Sequence, residues 1–160
     1  MTEDAAGVEA FEAFVGEAEP ALRRAFVAAY GADAGRETTA EALAWAWEHW
    51  ERLRNMANPI GYLYRVGQSR RRRSRRPRRP RSPLFPPVDT TDEIWVEPAL
   101  PAALASLSEH QRVVTVLVHG FGWTLRDTAE LLGIKVTSAQ NHLERGLQKL
   151  RTYLEVGADA

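Results

Sequence analysis

Residues 124–150 read TLRDTAELLGIKVTSAQNHLERGLQKL. Thr124 followed three residues later by Asp127 is a helix-start signal. The helix it opens runs to Leu132, where Gly133 accepts the left-handed backbone that a sharp change of direction needs. The turn Gly133-Ile134-Lys135 leads into a long last helix, in which Ala139, Leu143, Leu147, Leu150 and Leu154 recur at helical spacing. Ala129 is small where the two helices must approach, and Ile134 and Leu143 can close the core between them. The pattern is that of a helix-turn-helix. Its second helix would lie in the DNA major groove and present Lys135, Thr137, Ser138, Gln140, Asn141 and His142 to base edges. Gln and Asn can bond adenine through two atoms at once, and Lys can reach guanine or phosphate. The plainer alternative is a packed helical hairpin with no DNA role.

Working back from this segment, Ser108 and Gln111 form a capping box that opens a helix through about residue 119, which Gly120 and Gly122 break. A short helix over 99–107 precedes it. Residues 77–98 read as a linker, because Pro77, Pro80, Pro83, Pro86, Pro87 and Pro98 forbid regular helix. The first part of this linker is basic. Its second part is acidic, with Asp89, Asp92, Glu93 and Glu97 around Ile94 and Trp95.

The N-terminal part is also helical. Over 8–30, Phe11, Phe14, Val15, Ala18, Leu22 and Phe26 share one broad face, with Pro20 a point of kinking or division. Over 37–50, Ala40, Leu43, Trp47 and Trp50 make the expected buried stripe, with Trp45 off it and at the surface. Asn58 is a good N-cap before Pro59. Ile60, Leu63, Tyr64 and Gly67 form the packing face of that helix, which ends by Pro77. Tyr62 and Tyr64 cannot both face inward. The expected architecture is all-α: a helical domain over 8–76, the linker 77–98, and a helix-turn-helix domain over 99–156.

The formal net charge of zero conceals a strong asymmetry. Residues 70–81 (RRRRSRRPRRPR) hold nine arginines and no acid, whereas the segments before and after carry net charges of −5 and −4. Such a block repels itself, resists burial and suits a polyanion. Just upstream, Trp45, Trp47, Trp50, Tyr62 and Tyr64 lie near Arg52, Arg54 and Arg65, the combination that grips unstacked single-stranded bases. The loop from Asn55 to Asn58 offers amides able to bond an extruded base.

Other function classes are excluded or disfavoured. There is no cysteine, so disulfides and thiolate metal sites are absent, in keeping with a reducing cytoplasm. No apolar run reaches membrane-spanning length, and the acidic start is unlike a signal peptide. With 44% apolar residues a packed core is within reach. Glu37 and Glu41 lie one turn apart, yet no His or Ser stands near them in sequence. No glycine-rich phosphate loop exists, and His49, His110, His119 and His142 lack ligand spacing. No enzyme, cofactor or metal is expected.

Taken in order, the segments TAEALAWAW (39–47), PIGYLYRV (59–66), LASLSEHQR (104–112) and TLRDTAELLG (124–133) resemble the extracytoplasmic-function group of the sigma-70 family, in particular its Ala- and Arg-rich, actinobacterial-like members. The resemblance covers about 11–73, similar to family region two, and 100–154, similar to region four. It implies a cytoplasmic transcription initiation factor that binds core RNA polymerase and promoter DNA, with an anti-sigma factor as a possible further partner. By position it implies that Glu37, Glu41 and Trp45 face the polymerase. Asn55, Asn58, Tyr62, Arg65, Gln68, Arg70 and Arg71 would meet the −10 element. Lys135, Ser138, Gln140, Asn141 and His142 would meet the −35 element. The linker would thread the polymerase cleft, with Asp89, Asp92 and Glu93 on the path meant for nucleic acid.

Three departures stand out. Gly35 and Arg36 occupy positions where the family carries acids, and Thr38 and Thr39 where it carries apolar residues. Lys135 stands in place of a Ser cap, which leaves Thr137 to cap the last helix. Gln140 and His142 replace Lys and Arg, which weakens phosphate contact. Two other readings stay open: a polymerase-independent helix-turn-helix regulator, and a degenerate sigma that only binds a partner.

Overall fold

The computed structural model describes residues 2–74 and 97–158. Most of the proline-rich segment, with Arg75–Arg81, Asp89, Asp92, Glu93, Ile94 and Trp95, lies outside the described residues. Every regular element within them is helical. They are α1 (Thr2–Tyr30), α2 (Ala32–Glu48), α3 (Trp50–Leu53), α4 (Pro59–Arg73), α5 (Leu100–Ser106), α6 (Glu109–Thr115), a π-helical turn (Val116–Gly120), α7 (Leu125–Leu132) and α8 (Val136–Ala158).

Helix α1 runs for 29 residues straight through Pro20, so the proline does not divide it. Gly31, at φ 88°, turns the chain back into α2. The two helices approach so closely that a Cβ on Gly35 would sit 2.5 Å from the Val27 Cα. The residues facing this seam are therefore the smallest available: Gly35, Thr38, Thr39, Ala42 and Ala46 are buried. The two threonines satisfy their hydroxyls locally, donating to the carbonyls of Ala34 and Gly35 at 2.7 Å each.

This seam corrects the expected stripe of Ala40, Leu43, Trp47 and Trp50. An indole has no room there. Trp47 is 52% exposed, its ring 4.9 Å from that of Phe11. Trp50 is half-buried against Phe11 and Phe14. Trp45, expected at the surface, is half-buried instead, stacked on His49 at 4.1 Å and tilted against Tyr62 at 5.6 Å.

Helix α4 starts as its sequence dictates, with the Asn58 Oδ1 accepting from the Gly61 amide at 3.0 Å. It buries Gly61, Leu63, Tyr64 and Gly67. Of the two tyrosines, Tyr64 is fully buried, and Tyr62 stays half-exposed.

The capping box forms in both directions between Ser108 and Gln111 and opens α6. The helix then widens into the π turn over Val116–Gly120, which keeps Val116 and Leu117 buried. Beyond Gly122, at φ 70°, the Thr124 hydroxyl accepts from the Asp127 amide at 3.0 Å and starts α7. Gly133, at φ 65°, ends it. The amides of Gly133 and Ile134 return to the carbonyls of Glu130 and Ala129, a Schellman ending. Helix α8 packs on α5, α6 and α7, burying Ala139, Gly146 and Leu150. It begins at Val136, so Thr137 lies inside its first turn and does not cap it.

One buried hydrophobic cluster spans both parts of the chain, from Ala18 and Phe26 through Leu63 and Tyr64 to Val113, Leu117, Leu131 and Leu150. Helix α1 packs on α6, and α4 packs on α7.

Candidate nucleic-acid interface

The unit α7–turn–α8 is a helix-turn-helix, with Ala129 and Ala139 buried where the helices meet. Lys135, just before α8, and Thr137, Gln140, Asn141 and Glu144 on it are exposed. Thr137, Gln140, Asn141 and Glu144 recur at three- and four-residue steps and share one face. The Gln140 amide donates to Glu144 at 3.2 Å. Ser138 and His142 are half-buried. His142 meets His110 edge-on, ring centres 5.1 Å apart. Burial, then His110, then Arg145 hold its pKa below the ordinary histidine value. At neutral pH it is therefore an uncharged donor or acceptor and not a phosphate-pairing cation.

The second group gathers on the loop before α4 and along that helix. Asn55 is exposed and donates to the Glu51 carbonyl at 2.8 Å. Tyr62 lies between Trp45 and the Arg52 guanidinium, which sits 5.9 Å from its ring centre. Arg70 is exposed, and Arg71 lies over the Tyr30 ring at 5.2 Å. Three members of the group turn toward the C-terminal part of the chain. Asn58 donates to the Glu130 carbonyl at 2.9 Å. Arg65 donates to the Gly133 carbonyl at 3.4 Å. Gln68 donates to the Glu109 carboxylate at 2.9 Å. The candidate residues thus form two sets, one on α8 and one on α4 with its preceding loop, and part of the second is covered by α6 and α7.

On α2, Glu37, Glu41 and Trp45 recur every four residues and share a third face. Glu37 is exposed; Glu41 and Trp45 are half-buried.

Sequence reasoning missed Arg112. It is only 4% exposed, and its guanidinium donates from Nε to Ala28 O at 2.6 Å, from Nη2 to Ala29 O at 2.7 Å and from Nη1 to Leu107 O at 2.9 Å. Burial lowers its pKa, opposed by Glu109, Tyr64 and Tyr30, and a guanidinium keeps its charge in such a setting. The available signal was an arginine set directly against the apolar run that follows it. Nearby, the Tyr30 hydroxyl donates to Glu109 at 3.2 Å. Burial, followed by Glu109, raises the Tyr30 pKa far above the usual phenol range. Among the described residues, no group of His, Asp and Glu is arranged to hold a metal ion, and no helix is long and apolar enough to cross a membrane.

Comparison with known proteins bears on the same regions. Residues 98–150 match the family model described as Sigma-70, region 4. The fold is similar to the sigma factor RpoE of Bartonella quintana, solved in complex with the anti-sigma factor NepR. The TM-score is 0.65 at 20% identity, over 92% of this chain and 98% of that one. No curated protein matches the chain.

Proposed function

We propose that the chain is a sigma factor of the extracytoplasmic-function type, which joins core RNA polymerase in the cytoplasm and directs initiation at promoters with −10 and −35 elements. The observation that carries this reading is the helix-turn-helix matching Sigma-70 region 4, set within a fold that is sigma-factor-like over nearly the whole chain.

In this reading, residues 99–156 act on the −35 element. Helix α8 lies in the major groove and offers Lys135, Ser138, Gln140, Asn141 and His142. Residues 8–76 act at the −10 element. Asn55, Asn58, Tyr62, Arg65 and Gln68 meet the opened strand, and Arg70 and Arg71 with the following arginines hold its phosphates. Glu37, Glu41 and Trp45 dock on the polymerase. Residues 77–98 link the two parts through the cleft. The protein acts by binding and needs no cofactor. An anti-sigma factor, the partner of the Bartonella protein, is a fitting regulator of this one.

The face formed by Thr137, Gln140, Asn141 and Glu144 carries no cation and one acid, with Lys135 the only lysine in the turn before it, so the isolated protein should bind duplex DNA weakly. A promoter fragment titrated with the protein alone should shift only at high concentration, and with core polymerase added it should shift at least about tenfold lower. Tight, palindromic binding without polymerase would instead identify a stand-alone helix-turn-helix regulator.

A further inference from the structure

The face of α8 formed by Thr137, Gln140 and Asn141 carries a fourth side chain, Glu144, to which the function proposed above gives no role. Glu144 is exposed. It stands four residues after Gln140, three after Asn141 and seven after Thr137, so all four share one side of the helix. Glu144 is the only charged one of the four. A carboxylate on a surface meant for a polyanion lowers affinity, so its place there calls for a compensating use.

Its chemistry supplies one. Glu144 Oε1 accepts from the Gln140 amide Nε2 at 3.2 Å. A carboxylate is an acceptor only, so it fixes which end of the Gln140 amide faces it. The Gln140 Oε1 and the second N–H remain for a base, the acceptor and donor that together match adenine N6 and N7. A side chain fastened in this way also loses less rotamer freedom on binding. Glu144 keeps a second carboxylate oxygen. Against the edges of bases in a major groove it can accept and not donate. Guanine offers N7 and O6 there and thymine offers O4, all of them acceptors that repel it. Adenine offers N6 beside the acceptor N7, whereas cytosine offers its N4 amino group alone. The exposed Arg145, Lys149 and Arg151 lie beyond Glu144 on α8 and supply positive charge that offsets the acid.

We propose that Glu144 is a specificity-determining residue of the helix-turn-helix, accepting from the N4 amino group of a cytosine and holding Gln140 in position for a neighbouring adenine. A four-residue step along α8 is about 6 Å, and bases are spaced about 3.4 Å apart along each strand. The two base pairs therefore lie within about two steps of each other. This role rests on the placing of α8 in the major groove proposed above.

The test uses the full chain and its Glu144→Ala and Gln140→Ala variants. Both side chains are exposed, so both variants should keep wild-type helicity by circular dichroism. Duplexes with a randomised block are selected on each protein at low salt, where weak binding is measurable. Fluorescence anisotropy then reads single-base changes in the enriched site. The wild-type site should hold a C·G pair within about two steps of an A·T pair. Exchange of that cytosine for thymine should cost about tenfold in affinity. Glu144→Ala should bind the unselected pool more tightly, because an acid has left the DNA-facing side, and should no longer distinguish cytosine from thymine. Gln140→Ala should lose the adenine preference and keep that for cytosine. A side chain that only steadied the helix would not erase the preference at one base pair while raising affinity elsewhere. An enriched site whose preferences Glu144→Ala leaves unchanged would overturn the role of Glu144 and leave the −35 reading standing. A wild type that enriches no site at all would overturn both.

Discussion

Replacing Phe26 by alanine is expected to lower the unfolding free energy by about 3–5 kcal/mol, the range for deleting a fully buried aromatic ring. Phe26 is completely buried. Its ring stacks on Tyr64 at 4.9 Å and 14°, and on Tyr30 at 6.0 Å and 17°. A further neighbour is Gly67, whose missing side chain is what lets α4 lie directly against the ring. A glycine cannot reach into the hole that the substitution leaves. The two tyrosines are fixed by their own surroundings, so the cavity should persist. The stacked pairs add about 0.5–1.5 kcal/mol beyond the area they bury. For a chain of this length the melting temperature should fall by roughly 10 °C. Urea denaturation of both proteins measures the difference, and a loss below about 1 kcal/mol would mean that α1 and α4 do not pack through this ring.

The second large effect concerns charge. Replacing every arginine of residues 70–81 except Arg71 by serine should remove most of the salt sensitivity of DNA binding. Arg71 is kept because it packs on Tyr30. With about six phosphates neutralised, the wild-type log–log slope against salt should be near −5 on duplex DNA, equivalent to roughly a thousandfold loss of affinity between 50 and 200 mM salt. The variant should bind weakly throughout, with a slope of about −1 to −2. Arg70, Arg72 and Arg73 are exposed on the last turn of α4, so the substitutions leave the core intact. An unchanged slope would show that the arginine run does not touch the phosphates.

Local signals in the sequence translated directly into structure. The capping box at Ser108, the Asn58-Pro59 helix start, the Thr124 cap and the Gly133 ending each specify a hydrogen bond within a few residues, and each bond is present. The helix-turn-helix was legible because its turn and its helix starts are all of this local kind. The packing of α2 was not. Its apolar periodicity pointed to the tryptophans, whereas the inward face is set by how closely α1 approaches, a distance that favours Gly35, Thr38, Thr39, Ala42 and Ala46. Large apolar residues mark a core face only where the neighbouring helix leaves room for them. The bonds between the halves were equally hidden. Arg112, Glu109 and Gln68 bond to segments far away in sequence, and nothing local to any of them names its partner. The candidate DNA residues around the start of α8 could be placed from sequence because they follow the turn, whereas the bonds that Asn58, Arg65 and Gln68 make to the C-terminal part are a property of the assembled chain.

The chain is expected to confer promoter specificity on RNA polymerase. The most direct measurement is run-off transcription with core polymerase from a related bacterium, across genomic promoter fragments, with and without the purified protein. A sigma factor will give discrete transcripts that vanish when the protein is omitted, with a shared pair of elements upstream of their start sites. Absence of any protein-dependent transcript from a polymerase that other sigma factors activate, together with DNA binding that needs no polymerase, would contradict it.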